Sequence, residues 1–466
     1  MKIGFVSLGC SKNLVDTEVM LHLLHAAGHT ITPDETEADV IVVNTCGFIE
    51  SAKQESIDNI LDIAWLKKNR NLRGIVATGC LVERYREEIF AQMPEVDAMV
   101  GVGSLRRIVE AVESVGRGEK GYCAFEDKEK AVLGGERILT TPPYTAYLKI
   151  AEGCDNRCSY CAIPLIRGGF RSRRMEDIVA EAQDLESLGV RELNLIAQDT
   201  TRYGLDLYGS YRLAELVRAI CSKTQIPWIR LLYCYPDKIT DDLITELREN
   251  PRLLKYMDIP IQHISDRILR AMNRHGDSRL IRNTVSRLRE NVPGIVLRTT
   301  VIVGFPGETE EEFSELCAYV KEAKFERLGA FPYSAEEGTA AAELPEQIDE
   351  QEKQNRYDIL MGTQLPVSEA YNRSCVGRRV EVLCEGYDPV AETYYGRSAA
   401  DAPDIDGKIY FTSGTRIVEG QFAAVRITGS LDYDLTGEAE AAEECGAAET
   451  DAEEKRSKDP EGGKKE

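Results

Sequence analysis

Three cysteines, Cys154, Cys158 and Cys161, stand in a C-x3-C-x2-C spacing within Gly153-Cys154-Asp155-Asn156-Arg157-Cys158-Ser159-Tyr160-Cys161. Thiolates this close in sequence suit a cubane iron–sulfur cluster, which cysteine sulfurs hold. Three protein ligands on four irons leave one iron open to a second molecule. A zinc ion or three unrelated thiols would use the same residues. Structural zinc takes four ligands, and the next candidates are Cys221, Cys234 and His263.

A second set is scattered. Cys10, Cys46 and Cys80 each close an apolar run, Ile3 to Cys10, Ala38 to Cys46 and Gly74 to Cys80. Amphipathic patterns follow, near Asp16 to Ala27, Ser51 to Lys67 and Glu83 to Ala91. Apolar runs alternating with helices predict a buried parallel sheet, whose strand carboxyl ends share one edge. The three thiols therefore meet there and form a second three-thiolate site. The alternative is that each is a small buried hydrophobe.

These loops need elements to position them. From Tyr144 to about Ser334 the chain reads as six βα units. The strands are Ala146–Ile150, Glu192–Ile196, Trp228–Leu232, Tyr256–Pro260, Ile295–Val303 and Arg327–Tyr333. Right-handed crossovers make this a curved, partial barrel with chemistry at its carboxyl edge. Gln198 and Asp199 follow the second strand and can hydrogen-bond a ligand, while Gly304 and Gly307 follow the fifth and admit close backbone approach. Turn and capping chemistry accounts equally well for each alone. His263 reads as a structural histidine. Glu346 to Ser368 reads as a connecting helix, and Asn372 to Thr436 as a small antiparallel β module. The tail Glu438–Glu466 lacks aromatic residues and is expected to be disordered. Cys123, Cys221, Cys234, Cys317, Cys375, Cys384 and Cys445 read as ordinary thiols.

The fold class is α/β, with a Rossmann-like three-layer amino-terminal domain, a partial TIM-like (βα)6 barrel and a small carboxyl-terminal antiparallel β-barrel. The expected divisions are 1–135, 140–366, 367–437 and an acidic tail at 438–466.

Neither a signal peptide nor an apolar stretch long enough to span a membrane is expected, and thirteen cysteines imply a reducing compartment, so the reading is cytoplasmic with no membrane partner. The net charge of −22 argues against a broad phosphate-binding surface and favours a basic partner.

The C-x3-C-x2-C loop after the first strand of a six-unit barrel resembles the radical S-adenosylmethionine enzymes. There, the open iron binds S-adenosylmethionine, and one-electron reduction yields a 5′-deoxyadenosyl radical. The three domains together resemble the methylthiotransferases, whose terminal β module is called TRAM. The resemblance implies two [4Fe-4S] clusters, one on Cys154, Cys158 and Cys161 and an auxiliary one on Cys10, Cys46 and Cys80. Gly168, Gly169, Gln198, Asp199 and Gly304 are candidate S-adenosylmethionine contacts, and no catalytic residue is assigned beyond the cluster ligands.

One branch of that family thiomethylates an aspartate of the twelfth small-subunit ribosomal protein; the other thiomethylates a transfer-RNA adenosine. The strings Ser7-Leu8-Gly9-Cys10-Ser11-Lys12-Asn13, Ile196-Ala197-Gln198-Asp199-Thr200-Thr201-Arg202-Tyr203-Gly204, Leu232-Tyr233-Cys234-Tyr235-Pro236 and Asp401-Ala402-Pro403-Asp404-Ile405-Asp406-Gly407 resemble the protein-modifying branch. Between Asn372 and Gly437 there are 7 Lys/Arg against 10 Asp/Glu, whereas a module gripping transfer RNA should be basic. The implied partners are a basic ribosomal protein and an electron-donor protein, with nucleic acid unlikely as substrate. The implied chemistry uses one S-adenosylmethionine to methylate a sulfur at the auxiliary cluster. Another supplies the radical that takes a β-hydrogen from the aspartate. A two-cluster electron carrier or an RNA-binding adaptor are the competing classes.

Overall fold

The computed structural model describes residues 1–440. The first of its sheets has six parallel strands: β1 (Lys2–Ser7), β2 (Thr30–Thr32), β3 (Val40–Thr45), β4 (Gly74–Gly79), β5 (Ala98–Val100) and β6 (Tyr122–Ala124), in the order β2-β1-β3-β4-β5-β6. Alternation along the strands sends Ile41, Val43, Ile75 and Ala77 to one face and Val40, Val42 and Val76 to the other. The first face is covered by helices α2 (Glu50–Asn69) and α3 (Cys80–Gln92), the second by α1 (Ser11–Ala26) and α4 (Ile108–Gly116). The result is the expected three-layer unit. β2, β5 and β6 were not anticipated, because three-residue strands carry too little periodicity to read. The cysteines sit just beyond the strands rather than ending them: Cys10 is the residue before α1, and Cys80 opens α3.

The second sheet is β7 (Thr145–Lys149), β10 (Glu192–Ile196), β11 (Trp228–Leu231), β12 (Leu253–Asp258), β13 (Val296–Val303) and β14 (Arg327–Pro332), parallel throughout and paired in that order. Two short strands, β8 (Ala151–Glu152) and β9 (Arg171–Ser172), form an antiparallel pair beside it. The helices return each strand to the same edge, so this is the open partial barrel of six units. Its core runs from Ala146, Leu148 and Leu195 through Leu231 and Leu297 to Leu316 and Val320.

The long helix Glu350–Cys375 packs on this barrel, burying Leu360 in its core, and Gln364 Nε2 donates to the Phe325 carbonyl at 2.9 Å. It leads into a closed barrel of β15 (Arg379–Asp388), β16 (Thr393–Ser398), β17 (Ile409–Thr412), β18 (Phe422–Ser430) and β19 (Leu435–Ala439). Every pairing is antiparallel except β17–β19, because the chain crosses to β18 before β19 returns between them. From residue 441 on, the tail and Cys445 lie outside the described residues. Among the described residues no helix is long and apolar enough to cross a membrane.

Candidate functional site

Past β7 and β8 the chain turns at Gly153 into the loop that carries Cys154, Cys158 and Cys161. Gly153 has φ +76°, and a Cβ there would overlap the Gly169 carbonyl oxygen. Only glycine permits both the conformation and the approach. The Cys154 N–H donates to the Gly168 carbonyl at 3.0 Å, pinning the loop on Gly168-Gly169. Asn156 Nδ2 donates to Asp199 Oδ2 at 2.8 Å and lies 3.5 Å from Cys154 Sγ. Lys238 Nζ donates to both Asn156 Oδ1 (2.9 Å) and Asp199 Oδ2 (2.7 Å). Tyr235 Oη lies 3.4 Å from Cys158 Sγ, and Arg274 Nη1 donates to the same sulfur at 3.7 Å while stacking 4.1 Å from the Tyr235 ring.

Burial pushes the Cys154 thiol up to about 11 and raises Cys161 further, with the neighbouring Cys158 adding to both. Free thiols at Cys154 and Cys161 stay protonated. A coordinating iron reverses that by deprotonating the thiol outright.

The scattered cysteines are brought together. The Asn13 amide ties their loops: Nδ2 donates to the Leu8 carbonyl at 2.7 Å and the Thr45 carbonyl at 3.3 Å, just ahead of Cys10 and Cys46. A Cβ on Gly9 would lie 3.1 Å from Cys46 Sγ, so the first two loops touch. Burial pushes Cys46 up to about 11, and the nearby Cys80 and Cys10 add to it. Desolvation pushes the Cys10 sulfur up as well. Lys12, Arg167 and the Asn13 and Lys12 N–H groups outweigh it and hold the thiol below the ordinary range, although the residue as a whole is solvent-exposed. Each set is thus three soft donors, with charge-assisted or backbone N–H groups aimed at the sulfurs, which fits a thiolate-bound cluster. Among the described residues no three His, Cys, Asp or Glu side chains converge closely enough for a single ion. Thiolates on one cubane bind different irons and so stand further apart.

The two sets are joined by buried charge. Arg167, the last residue of helix α5 (Ile163–Arg167), donates through Nη2 to Cys80 Sγ at 3.4 Å and through Nη1 to Asp16 Oδ2 at 2.6 Å and Glu152 Oε2 at 3.1 Å. Lys149 Nζ pairs with the same two carboxylates. The sequence reading missed Asp16, Lys149, Glu152 and Arg167. Lys149 and Glu152, charged residues in or beside an apolar strand, were the available signal, since such residues are almost never fully buried unless paired. Asp16 and Arg167 lie on helices and gave none.

The remaining candidates fall in different surroundings. Gln198 Nε2 donates to Glu152 Oε1 at 2.7 Å, while its Oε1 is buried without a partner, as is Gln262 Oε1. These orphaned acceptors at the barrel's carboxyl edge suit an amino-bearing cofactor such as S-adenosylmethionine. Asp199 is fully buried and already accepts from Asn156, Thr201 and Lys238, so it supports the loop. Gly168 and Gly169 back the cysteine loop and face Glu129, whose Oε1 accepts from the Gly169 N–H at 2.8 Å. Gly304 packs against Lys353, and its N–H donates to Glu308 Oε2 at 2.7 Å. His263 is fully buried; its Nδ1 accepts from the Ser265 N–H at 3.0 Å and its Nε2 has no partner.

Three family descriptions match: "Uncharacterized protein family UPF0004" over residues 2–101, "Radical SAM superfamily" over 148–320 and "TRAM domain" over 376–439. The chain is 52% identical to the ribosomal protein uS12 methylthiotransferase RimO of Pelotomaculum thermopropionicum, across 94% of this chain and 99% of that protein. It is equally 52% identical to the protein of the same name from Geobacter sulfurreducens, across 94% and 98%. Among solved structures, the radical S-adenosylmethionine methyltransferase TsrM from Kitasatospora setae, with cobalamin and a [4Fe-4S] cluster bound, superposes with a TM-score of 0.54 at 14% identity, covering 81% of this chain and 79% of that one. That likeness is one of fold.

Proposed function

The chain belongs to the RimO family of ribosomal protein uS12 methylthiotransferases, and on that premise we propose how its residues share the reaction. The enzyme transfers a methylthio group to the β-carbon of an aspartate of uS12, and its cofactors are [4Fe-4S] clusters and S-adenosylmethionine. When bound, these supply one-electron reduction, a methyl donor and the radical that opens an unactivated C–H bond, which no side-chain base could deprotonate near neutral pH.

Cys154, Cys158 and Cys161 would hold the cluster that engages S-adenosylmethionine, and Cys10, Cys46 and Cys80 would hold the auxiliary cluster. The observation that carries this division is that each set gathers at the carboxyl edge of its own parallel sheet, with Arg167 and Glu152 between them. Asn156, Asp199 and Lys238 hold the loop shape, and the free Gln198 oxygen is an acceptor that would suit the cofactor's amino group. Gly168, Gly169 and Gly304 shape the walls of that site. The protein works in the cytoplasm on a basic ribosomal protein, takes electrons from a donor protein and does not use nucleic acid as substrate.

The test is anaerobic incubation of reconstituted enzyme with S-adenosylmethionine, a reductant and sulfide. Ribosomal protein and transfer RNA are offered separately and read by mass spectrometry. A methylthio mass gain on the aspartate alone is expected; a gain on adenosine alone overturns the reading.

A further inference from the structure

Arg167 is buried to 3% exposure, and its two terminal nitrogens look toward different sites. Nη2 donates to Cys80 Sγ at 3.4 Å and to Asn13 Oδ1 at 3.2 Å. Through the Asn13 amide, which holds the Leu8 and Thr45 carbonyls, that one nitrogen reaches the backbone ahead of Cys10 and Cys46 as well. Nη1 serves Asp16 and Glu152. Glu152 directly precedes Gly153-Cys154, but neither it nor Arg167 is hydrogen-bonded to a sulfur of that loop. Arg167 thus touches one cysteine set directly and the other only through a carboxylate, whereas the loop set has its own arginine in Arg274.

An N–H aimed at a ligating sulfur draws charge from it and favours the more negative, reduced form of a cluster. A guanidinium stays charged when buried, and its planar fork lets one side chain satisfy two carboxylates, an amide oxygen and a sulfur together. A lysine ammonium cannot span that set.

We infer that Arg167 is a positioning residue of the auxiliary cluster, donating to the Cys80 thiolate and thereby raising that cluster's reduction potential. Asp16 opposes it by competing for the same positive charge. The inference rests on Cys10, Cys46 and Cys80 being the auxiliary ligands, and its test separates the two.

The full-length chain carrying Cys154, Cys158 and Cys161→Ala is reconstituted anaerobically, and its remaining cluster is titrated with EPR detection. Arg167→Lys should make reduction harder by roughly tenfold in the equilibrium, about 59 mV for one electron. Asp16→Asn should shift the midpoint the opposite way. In the reciprocal background, Cys10, Cys46 and Cys80→Ala, the midpoint should move much less for either substitution. An unchanged midpoint in the first background overturns the inference. So does an equal shift in both backgrounds, or a shift of the same sign for both substitutions, since general loosening would give those. A first background that takes up no iron overturns the ligand assignment, and the inference with it.

Discussion

The Glu192 carboxylate on β10 accepts from Arg397 Nη2 of the terminal barrel at 2.5 Å, and both side chains are buried. Arg230 Nε donates to the other oxygen at 3.1 Å. Burial pushes this carboxyl up, yet Arg397 and Arg230 outweigh it and hold it at about 2. Nearby, Arg327 Nη2 binds Asp401 at 2.6 Å and Tyr256 Oη donates to Asp406 at 2.6 Å. The barrel is therefore bolted to the parallel sheet by desolvated polar pairs.

Glu192→Gln should cost about 3–5 kcal/mol, because it leaves a buried arginine short of its counter-charge. Urea unfolding of the two proteins measures this. The sign with pH follows from the lowered carboxyl: the contribution is complete above the ordinary value of 4.5 and is lost as pH falls toward 2.

Gly153→Ala should expel one cluster and spare the other. The added methyl meets the Gly169 carbonyl, and the positive φ is strained for alanine, so the loop cysteines are displaced while Cys10, Cys46 and Cys80 are untouched. Iron analysis should fall from about eight to about four per chain. An unchanged iron content would count against the loop geometry.

Lys238→Met leaves the Asp199 carboxylate and Asn156 Oδ1 buried without their cation. The expected loss is about 3–5 kcal/mol, with the loop-set cluster released earlier on warming, followed by its absorbance and EPR signal. The double substitution Lys238→Met with Asp199→Leu should recover part of that loss.

Burial holds the His263 imidazole at about 4, below the ordinary 6.5. The unfolded chain then binds a proton over a range where the folded chain does not. Its stability contribution is complete above pH 6.5 and declines as pH falls toward 4, by about 3 kcal/mol in all. His263→Asn, whose amide oxygen can still accept from Ser265, should flatten the stability profile across that window.

Much of this arrangement was legible from particular residues. The loop set announces itself because Cys154, Cys158 and Cys161 share one turn. Cys10, Cys46 and Cys80 could be gathered because parallel strands put their ends on one edge. Gln198 and Asp199 were placed at the right edge, but their division of labour was not legible. It depends on Lys238 and Glu152, partners from other elements. The partners in the Arg167 cluster were hidden for the same reason: Asp16, Lys149 and Arg167 meet only after two sheets dock, and a charge such as Lys149 in an apolar strand shows that it needs a partner without showing which. The parallel β17–β19 pairing likewise depends on how the barrel closes.

The spread of the two cysteine sets along the chain bears on how the holoprotein is built. The loop set closes a short segment and can capture iron in a chain that has scarcely folded, since short loops cost little entropy to close. The scattered set exists only once β1, β3 and β4 have paired, which joins residues far apart in the chain. If the two sets hold clusters as proposed, the loop set can be completed by a short segment, whereas the scattered set requires the folded amino-terminal sheet.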